Sequence, residues 1–258
     1  MAVMPFSARQ VEVLRQLTHL WAPERFVLIG AAALGCFLDM RWRSTADLDL
    51  TLAISLEEFL DESLVPGWRR DRRMEHRWYA PGGEVVDIIP AGPELLRKGE
   101  VHWPRSGHRM SLVGLRLAFE RGVSVTVAPD LIIKVAPVPV LTVLKIVAYG
   151  DRPAERERDL ADLAYIVTEY EPEDRFADDV IDLGMSYEEA GPFLLARTIA
   201  AMVNDAERAH VNRFARAASD EDDPSGTHAK FLASGPPSWR RNPDELTQCL
   251  RAFRRGFQ

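Results

Sequence analysis

The stretch DLDLTLA, residues 47–53, constrains the fold most because it alternates acidic or polar residues with apolar ones. Side chains of a β-strand point alternately to its two faces, so Leu48 and Leu50 face a core while Asp47 and Asp49 share the opposite face. Two like charges this close repel each other unless a cation lies between them. The pattern predicts a half-buried strand that carries either a magnesium site or, as an isolated D-x-D often does, two solvated aspartates.

A third acid lies in a later apolar segment, EVVDIIP at residues 84–90. Burial of an unpaired carboxylate is costly, so Asp87 needs a metal or a cationic partner nearby. If this segment neighbours residues 47–53 in one sheet, three carboxylates can bind two magnesium ions. Asp47, Asp49 and Asp87 are therefore the predicted metal ligands and catalytic residues, with Asp87 as the candidate base.

The flanking segments supply the rest of a mixed sheet. A capping-box spacing opens an amphipathic helix over residues 7–21, and FVLIG at 26–30 is a short apolar strand before helix-forming residues. Residues 74–80 and 84–90 predict a hairpin around a PGG turn. Two more short strands are expected around Pro129.

Residues beside the acidic pair are candidates for binding phosphates. Gly30 joins a strand to a helix, so phosphate oxygens could approach its backbone and that of Ala31, although such a glycine is more often a tight turn. Arg43 and Thr45 bring a cation and a hydroxyl next to the acidic pair. Arg43 could equally pair with Asp39.

The pattern becomes helical after Pro137. We therefore predict an α/β (α+β) fold in which a mixed sheet flanked by helices, residues 1–136, precedes a helical domain, residues 137–258. The acidic stretch after residue 217 is rich in turn formers, and it predicts a flexible loop near 217–238.

Lys145 is the only charged residue between Val135 and Tyr149. It either reaches a phosphate or pairs with an acid on the next helix. Asp159 lies on that helix, where it would orient Lys145 or Arg152, or form a salt bridge that fixes helix packing.

Composition narrows the choice of partners. An apolar fraction of 47% permits a real core, and no apolar run is long enough for a membrane helix. The start of the chain lacks a signal-peptide pattern, so we expect a cytoplasmic protein with no membrane partner. A net charge of -7 argues against indiscriminate nucleic-acid binding. WRRDRRMEHRW, residues 68–78, could contact an RNA acceptor or form the solvated face of a strand.

In their order along the chain, Gly30, the acidic pair and Asp87 resemble the DNA polymerase beta nucleotidyltransferase superfamily. The chain is more closely similar to bacterial proteins of the AbiEii/AbiGii toxin type, whose R-x-[ST]-x-D-x-D pattern is matched by Arg43, Thr45, Asp47 and Asp49. The resemblance covers roughly residues 25–170 and is specific only through the combination of its motifs.

The resemblance implies an N-terminal nucleotidyltransferase fold and an enzyme that moves NMP from an NTP to a hydroxyl and releases pyrophosphate. It implies two Mg²⁺ ions, with Mn²⁺ as a substitute, a tRNA end or protein side chain as acceptor, and an antitoxin partner. In such proteins a helical lysine and a later R-D-x-x-D-L segment close the nucleotide site. This implicates Lys145, Asp151, Arg152 and Asp159.

Two other functions stay open. The acceptor could be a small molecule, as for aminoglycoside nucleotidyltransferases. Alternatively, the chain could be a catalytically silent nucleotide-binding or interaction module, a reading supported by Ala31, which stands where the family has glycine or serine.

Overall fold

The computed structural model describes residues 6–43, 45–61, 63–173, 178–235 and 242–258. These residues form nine β-strands and twelve α-helices, and the predicted α/β fold class is confirmed. Two compact units make up the chain, Met1–Pro137 and Val138–Gln258.

The first unit contains all the strands. They are β1 (Phe26–Ile29), β2 (Asp47–Leu52), β3 (Arg69–Arg70), β4 (Arg77–Tyr79), β5 (Val85–Pro90), β6 (Glu100–His102), β7 (Arg109–Ser111), β8 (Val123–Ala128) and β9 (Leu131–Val135). The helices of this unit are α1 (Ala8–Leu20), α2 (Gly30–Leu34), α3 (Leu56–Leu60), α4 (Pro93–Lys98) and α5 (Leu115–Arg121).

Seven strands form one mixed sheet in the order β3-β4-β5-β2-β1-β9-β8, and β6 pairs with β7 in a separate ribbon. At its centre β2 runs parallel to β5 and antiparallel to β1. The predicted adjacency of the two acidic strands is therefore confirmed. The hairpin of β4 and β5 and the strand pair around Pro129 are confirmed as well.

The local patterns explain these elements. In β2, Leu48 and Leu50 are fully buried, as the alternation predicts. Ser7 and Gln10 form the predicted capping box of α1, which buries Leu14 and Leu17 against the rest of the unit.

Residues 74–80 differ from the predicted strand, since β4 begins only at Arg77. Glu75 turns inward instead: its carboxylate accepts hydrogen bonds from the backbone N–H groups of Arg105 and Ser106 at 2.9–3.2 Å. With Glu75 only 2% exposed, a solvated strand face is wrong for this residue. The local sequence could not predict the burial of Glu75, because its hydrogen-bond partners lie about 30 residues away along the chain.

The second unit consists of helices, as predicted. They are α6 (Val138–Asp151), α7 (Glu157–Glu169), α8 (Asp178–Asp182), α9 (Tyr187–Ala200), α10 (Asp205–Ser219), α11 (Thr227–Ala233) and α12 (Pro243–Phe257). Within the described ranges, no helix combines the length and the apolarity that crossing a membrane requires.

The predicted loop near residues 217–238 is wrong where α11 forms. This helix buries Phe231, and the ring of His228 lies 2.7 Å from the carbonyl oxygen of Ala218. These two buried contacts stabilise a short helix in a stretch whose composition favours turns. Residues 236–238 of the predicted loop lie outside the described residues.

Candidate functional site

A row of four residues crosses the centre of the first unit's sheet. The strand register pairs Ile29 with Asp49, Asp49 with Asp87, and Asp87 with Arg77. Residues directly opposite one another in a sheet project from the same face. Asp47 shares this face because it lies two residues before Asp49. The three predicted acids are thus brought together by β2 and β5.

Arg77, which the sequence patterns did not single out, contacts two of the three acids. Its Nε donates to Asp87 Oδ1 and its Nη2 to Asp87 Oδ2, both at 2.8 Å, and Nη2 also lies 3.6 Å from Asp47 Oδ2. The hydrogen bond to Asp87 raises the pKa of Arg77 although partial burial opposes the charged form. A signal did exist, because a hairpin centred on Gly82 pairs residue 77 with residue 87.

The donor chemistry of the acids fits a divalent cation, since carboxylate oxygens are the ligands that magnesium prefers. Their present positions do not complete a site: in the part of the chain that the structure describes, no three His, Cys, Asp or Glu side chains are arranged around one ion. Arg77 instead neutralises Asp87, which is the more buried of the two acids that it contacts. The side chain of Asp87 is 10% exposed, and that of Asp47 is 41% exposed.

Gly30 packs directly against Asp49. Its φ is +72°, and a Cβ built on it would lie 2.1 Å from Asp49 Oδ2. Glycine is needed here both for the left-handed backbone and for the close approach of the Asp49 carboxylate. Ala31 follows as a buried residue of α2. The roles of Gly30 and Ala31 in phosphate binding stay predictions.

Replacing Gly30 by alanine is expected to destabilise the protein more than the same change at Gly99. Gly99 has a φ of +74° but open space around its Cβ position, so Gly99→Ala measures the backbone strain alone, about 1–2 kcal/mol. Gly30→Ala adds the clash with Asp49. Denaturant unfolding of both variants tests this, and equal losses of stability would show that Gly30 does not pack against the carboxylate.

Arg43 and Thr45 lie before β2, as expected from the chain, and both are partly buried. The carbonyl oxygen of Thr45 accepts a hydrogen bond of 3.2 Å from the Gln10 side chain, which ties this segment to α1. Asp39 accepts hydrogen bonds from the side chain of Arg41. Ser44 lies outside the described residues. Nucleotide binding by Arg43 and Thr45 stays a prediction.

Lys145 in the second unit pairs with acids on the next helix. Its Nζ lies 2.9 Å from Asp159 Oδ1 and 2.6 Å from Asp162 Oδ2. Burial lowers the pKa of Lys145, but the two carboxylates outweigh it and the net shift is upward. This is the salt bridge that the sequence allowed, and the nucleotide-binding role of Lys145 stays a prediction.

Two arginines lie close to acids of the same segment. Arg156 lies 3.6 Å from Asp159, and Arg152 lies 3.6 Å from Glu155. The predicted roles of Arg152 and Asp159 in nucleotide binding rest on the resemblance alone.

The arginine-rich stretch 68–78 is partly used for internal packing. The guanidinium of Arg70 lies 4.3 Å from the ring centroid of Trp78, and that of Arg69 lies 4.1 Å from the ring centroid of Tyr79. These cation–π contacts stabilise the edge of the sheet. An RNA partner for this stretch stays a prediction.

No protein-family model and no curated protein sequence matches the chain. Among solved structures, the chain is similar to JHP933 from Helicobacter pylori, at 11% identity and a TM-score of 0.42 over 98% of this chain and 94% of that one. A proposed nucleotidyltransferase from H. pylori is also similar, at 11% identity and a TM-score of 0.38 over 98% of this chain and 97% of that one. Both TM-scores lie below 0.5, so neither similarity supports a function for this chain.

Proposed function

We propose that the protein is a metal-dependent nucleotidyltransferase, which moves NMP from an NTP to a hydroxyl acceptor and releases pyrophosphate. The observation that supports this most is the register of β2 and β5, which sets Asp49 beside Asp87 with Asp47 on the same face. A cluster of three carboxylates on two adjacent parallel strands is a natural ligand set for the divalent ions of phosphoryl-transfer chemistry.

Each acid has a distinct part in this proposal. Asp47 and Asp49 would hold Mg²⁺, or Mn²⁺ in its place, and the bound ions would neutralise charge on the triphosphate and the leaving pyrophosphate. Asp87 would share a metal and accept the proton of the acceptor hydroxyl. Its place beside Asp49 on the adjacent strand supports this role, because a general base must lie within hydrogen-bond reach of the proton that it accepts.

For the acceptor we propose a tRNA end or a protein side chain, in a cytoplasmic protein of the AbiEii/AbiGii toxin type that an antitoxin partner controls. The match of Arg43, Thr45 and the acidic pair to the R-x-[ST]-x-D-x-D pattern supports this assignment. A small-molecule acceptor of the aminoglycoside kind is the second candidate.

Incubation with each radiolabelled NTP, Mg²⁺ and either total tRNA or cell lysate tests the proposal. Wild-type protein is expected to label one band, whose nature gives the acceptor class and whose nucleotide gives the base preference. The Asp47→Asn, Asp49→Asn double variant is the control and should give no labelled band.

Two other outcomes decide between the remaining functions. Label on an aminoglycoside-like acceptor, with none on RNA or protein, would select the small-molecule enzyme. Binding of Mg-NTP without transfer to any of these acceptors would contradict the proposal and favour the silent nucleotide-binding module, in which Ala31 replaces the usual glycine or serine.

A further inference from the structure

The two oxygens of Asp87 are both engaged by one guanidinium. Arg77 and Asp87 are cross-strand partners on β4 and β5, and their two hydrogen bonds of 2.8 Å form a bidentate pair. Bidentate arginine–carboxylate pairs are among the strongest polar contacts in proteins. The same guanidinium lies 3.6 Å from Asp47. Arg77 therefore contacts two of the three acids assigned to the metal.

A divalent ion and this guanidinium would compete for the same carboxylates. Magnesium binds oxygen at about 2.0–2.1 Å and demands near-octahedral geometry, so it needs an oxygen of Asp87 turned toward it. An ion in contact with Asp47 and Asp87 would also lie within a few ångströms of the positive charge on Arg77. At such separations like charges repel strongly in a partly buried site.

The side chain of Arg77 can move from Asp87 into solvent. It is 25% exposed, whereas Asp87 is 10% exposed, so the arginine has access to solvent from its position beside the carboxylate. Arginine side chains keep their charge hydrated at modest cost when they move to the surface. His76 Nε2 lies 3.9 Å from Asp87 Oδ2, which makes it a second basic group facing this acid.

We propose that Arg77 is an internal counter-cation that exchanges with the divalent ion. Without metal, Arg77 neutralises Asp87 and Asp47 and keeps the three acids compatible with folding. When metal binds, Asp87 leaves Arg77 for the ion, and the arginine moves away. This inference rests on the proposed function for the identity of the metal ligands, but it concerns metal binding and needs no nucleotide.

Calorimetric titration of the full chain with MgCl₂ in the absence of nucleotide tests the exchange. Arg77→Met is expected to bind Mg²⁺ about tenfold more tightly than wild type, because the ion no longer displaces a charge-assisted pair. In EDTA the variant should melt at a lower temperature than wild type, and Mg²⁺ should raise its melting temperature by more. Arg77→Lys, which keeps the charge without the bidentate geometry, should bind Mg²⁺ with intermediate affinity.

Arg69→Met is the matched control, since Arg69 lies on the neighbouring strand and stacks on Tyr79. It should leave Mg²⁺ affinity at the wild-type value. Equal or weaker Mg²⁺ binding by Arg77→Met, or no Mg²⁺ binding by any variant, would overturn the exchange; if Arg77→Met does not fold, the order of Arg77→Lys and wild type decides.

The two proposals fail separately. A protein that shows the expected order of Mg²⁺ affinities but labels no acceptor keeps the exchange and loses the transferase function. If the wild type transfers NMP but Arg77→Met binds Mg²⁺ with the wild-type affinity, the proposed function stands and the exchange is refuted.

Discussion

Asparagine in place of Asp49 is expected to abolish NMP transfer while the chain still folds. Asparagine has almost the same shape, so the tight contact with Gly30 is retained, but it lacks the charge that holds a divalent ion. Residues that only orient a metal ligand cost 10–100-fold in activity when lost, so loss of a ligand should cost at least about 100-fold. The rate of label transfer from NTP at saturating Mg²⁺ measures this.

The matched control is Glu57→Gln, which removes one negative charge from an exposed position of α3 in the same unit. It should transfer NMP at the wild-type rate. Circular dichroism and the melting temperature should show that Asp49→Asn is folded. Undiminished transfer by a folded Asp49→Asn protein would refute the assignment of the acidic pair.

Methionine in place of Lys145 is expected to cause the largest loss of stability. The change leaves Asp159 and Asp162 without their buried cation, and the Asp162 side chain is fully inaccessible to solvent. Removing one partner of a buried ion pair typically costs about 3–5 kcal/mol. Urea unfolding followed by circular dichroism gives the free energy directly, and this loss should appear in the helical second unit.

The pH dependence of this contribution follows from the raised pKa of Lys145. A group whose pKa is higher in the folded state stabilises fully below its unfolded value, about 10.4 for lysine, and loses this effect as pH rises through the folded value. The stabilisation that comes from the charge of Lys145 should therefore be fully present at pH 6 and pH 8 and be lost only at more alkaline pH.

Lys230→Met is the control for Lys145→Met, since Lys230 is an exposed lysine of α11 in the same unit. Its stability should stay within about 0.5 kcal/mol of wild type. Adding Asp162→Leu to Lys145→Met should restore part of the loss, because a buried pair can often be replaced by apolar groups. A deficit below about 1 kcal/mol for Lys145→Met alone would mean that the pair contributes little.

Local patterns were sufficient for much of the fold. The alternation in residues 47–53 identified β2, and the Ser7–Gln10 spacing identified the start of α1. The isolated acid in an apolar strand also predicted that Asp87 needs a partner. In each case the determinant lies within a few residues of the element it specifies.

Other features depend on contacts that no local window contains. Glu75 is buried against backbone groups of the loop after β6, which bind its carboxylate. Helix α11 depends on the contact between the ring of His228 and the backbone of α10. The partner of Asp87 is an arginine of the adjacent strand, where the sequence pattern predicted only a metal or an unspecified cation. Its identity required the register of the hairpin, which composition does not give.

The length of the hairpin turn between β4 and β5 determines which residue of β4 lies opposite Asp87. The position of Asp87 is fixed by the pairing of β5 with β2, where Asp87 lies opposite Asp49. Arg77 lies opposite Asp87 because the turn around Gly82 has its present number of residues. One inserted residue would shift β4 by one position and turn Arg77 to the opposite face. The three acids would keep their places. The number of residues in a surface turn thus specifies whether the carboxylates have an arginine beside them.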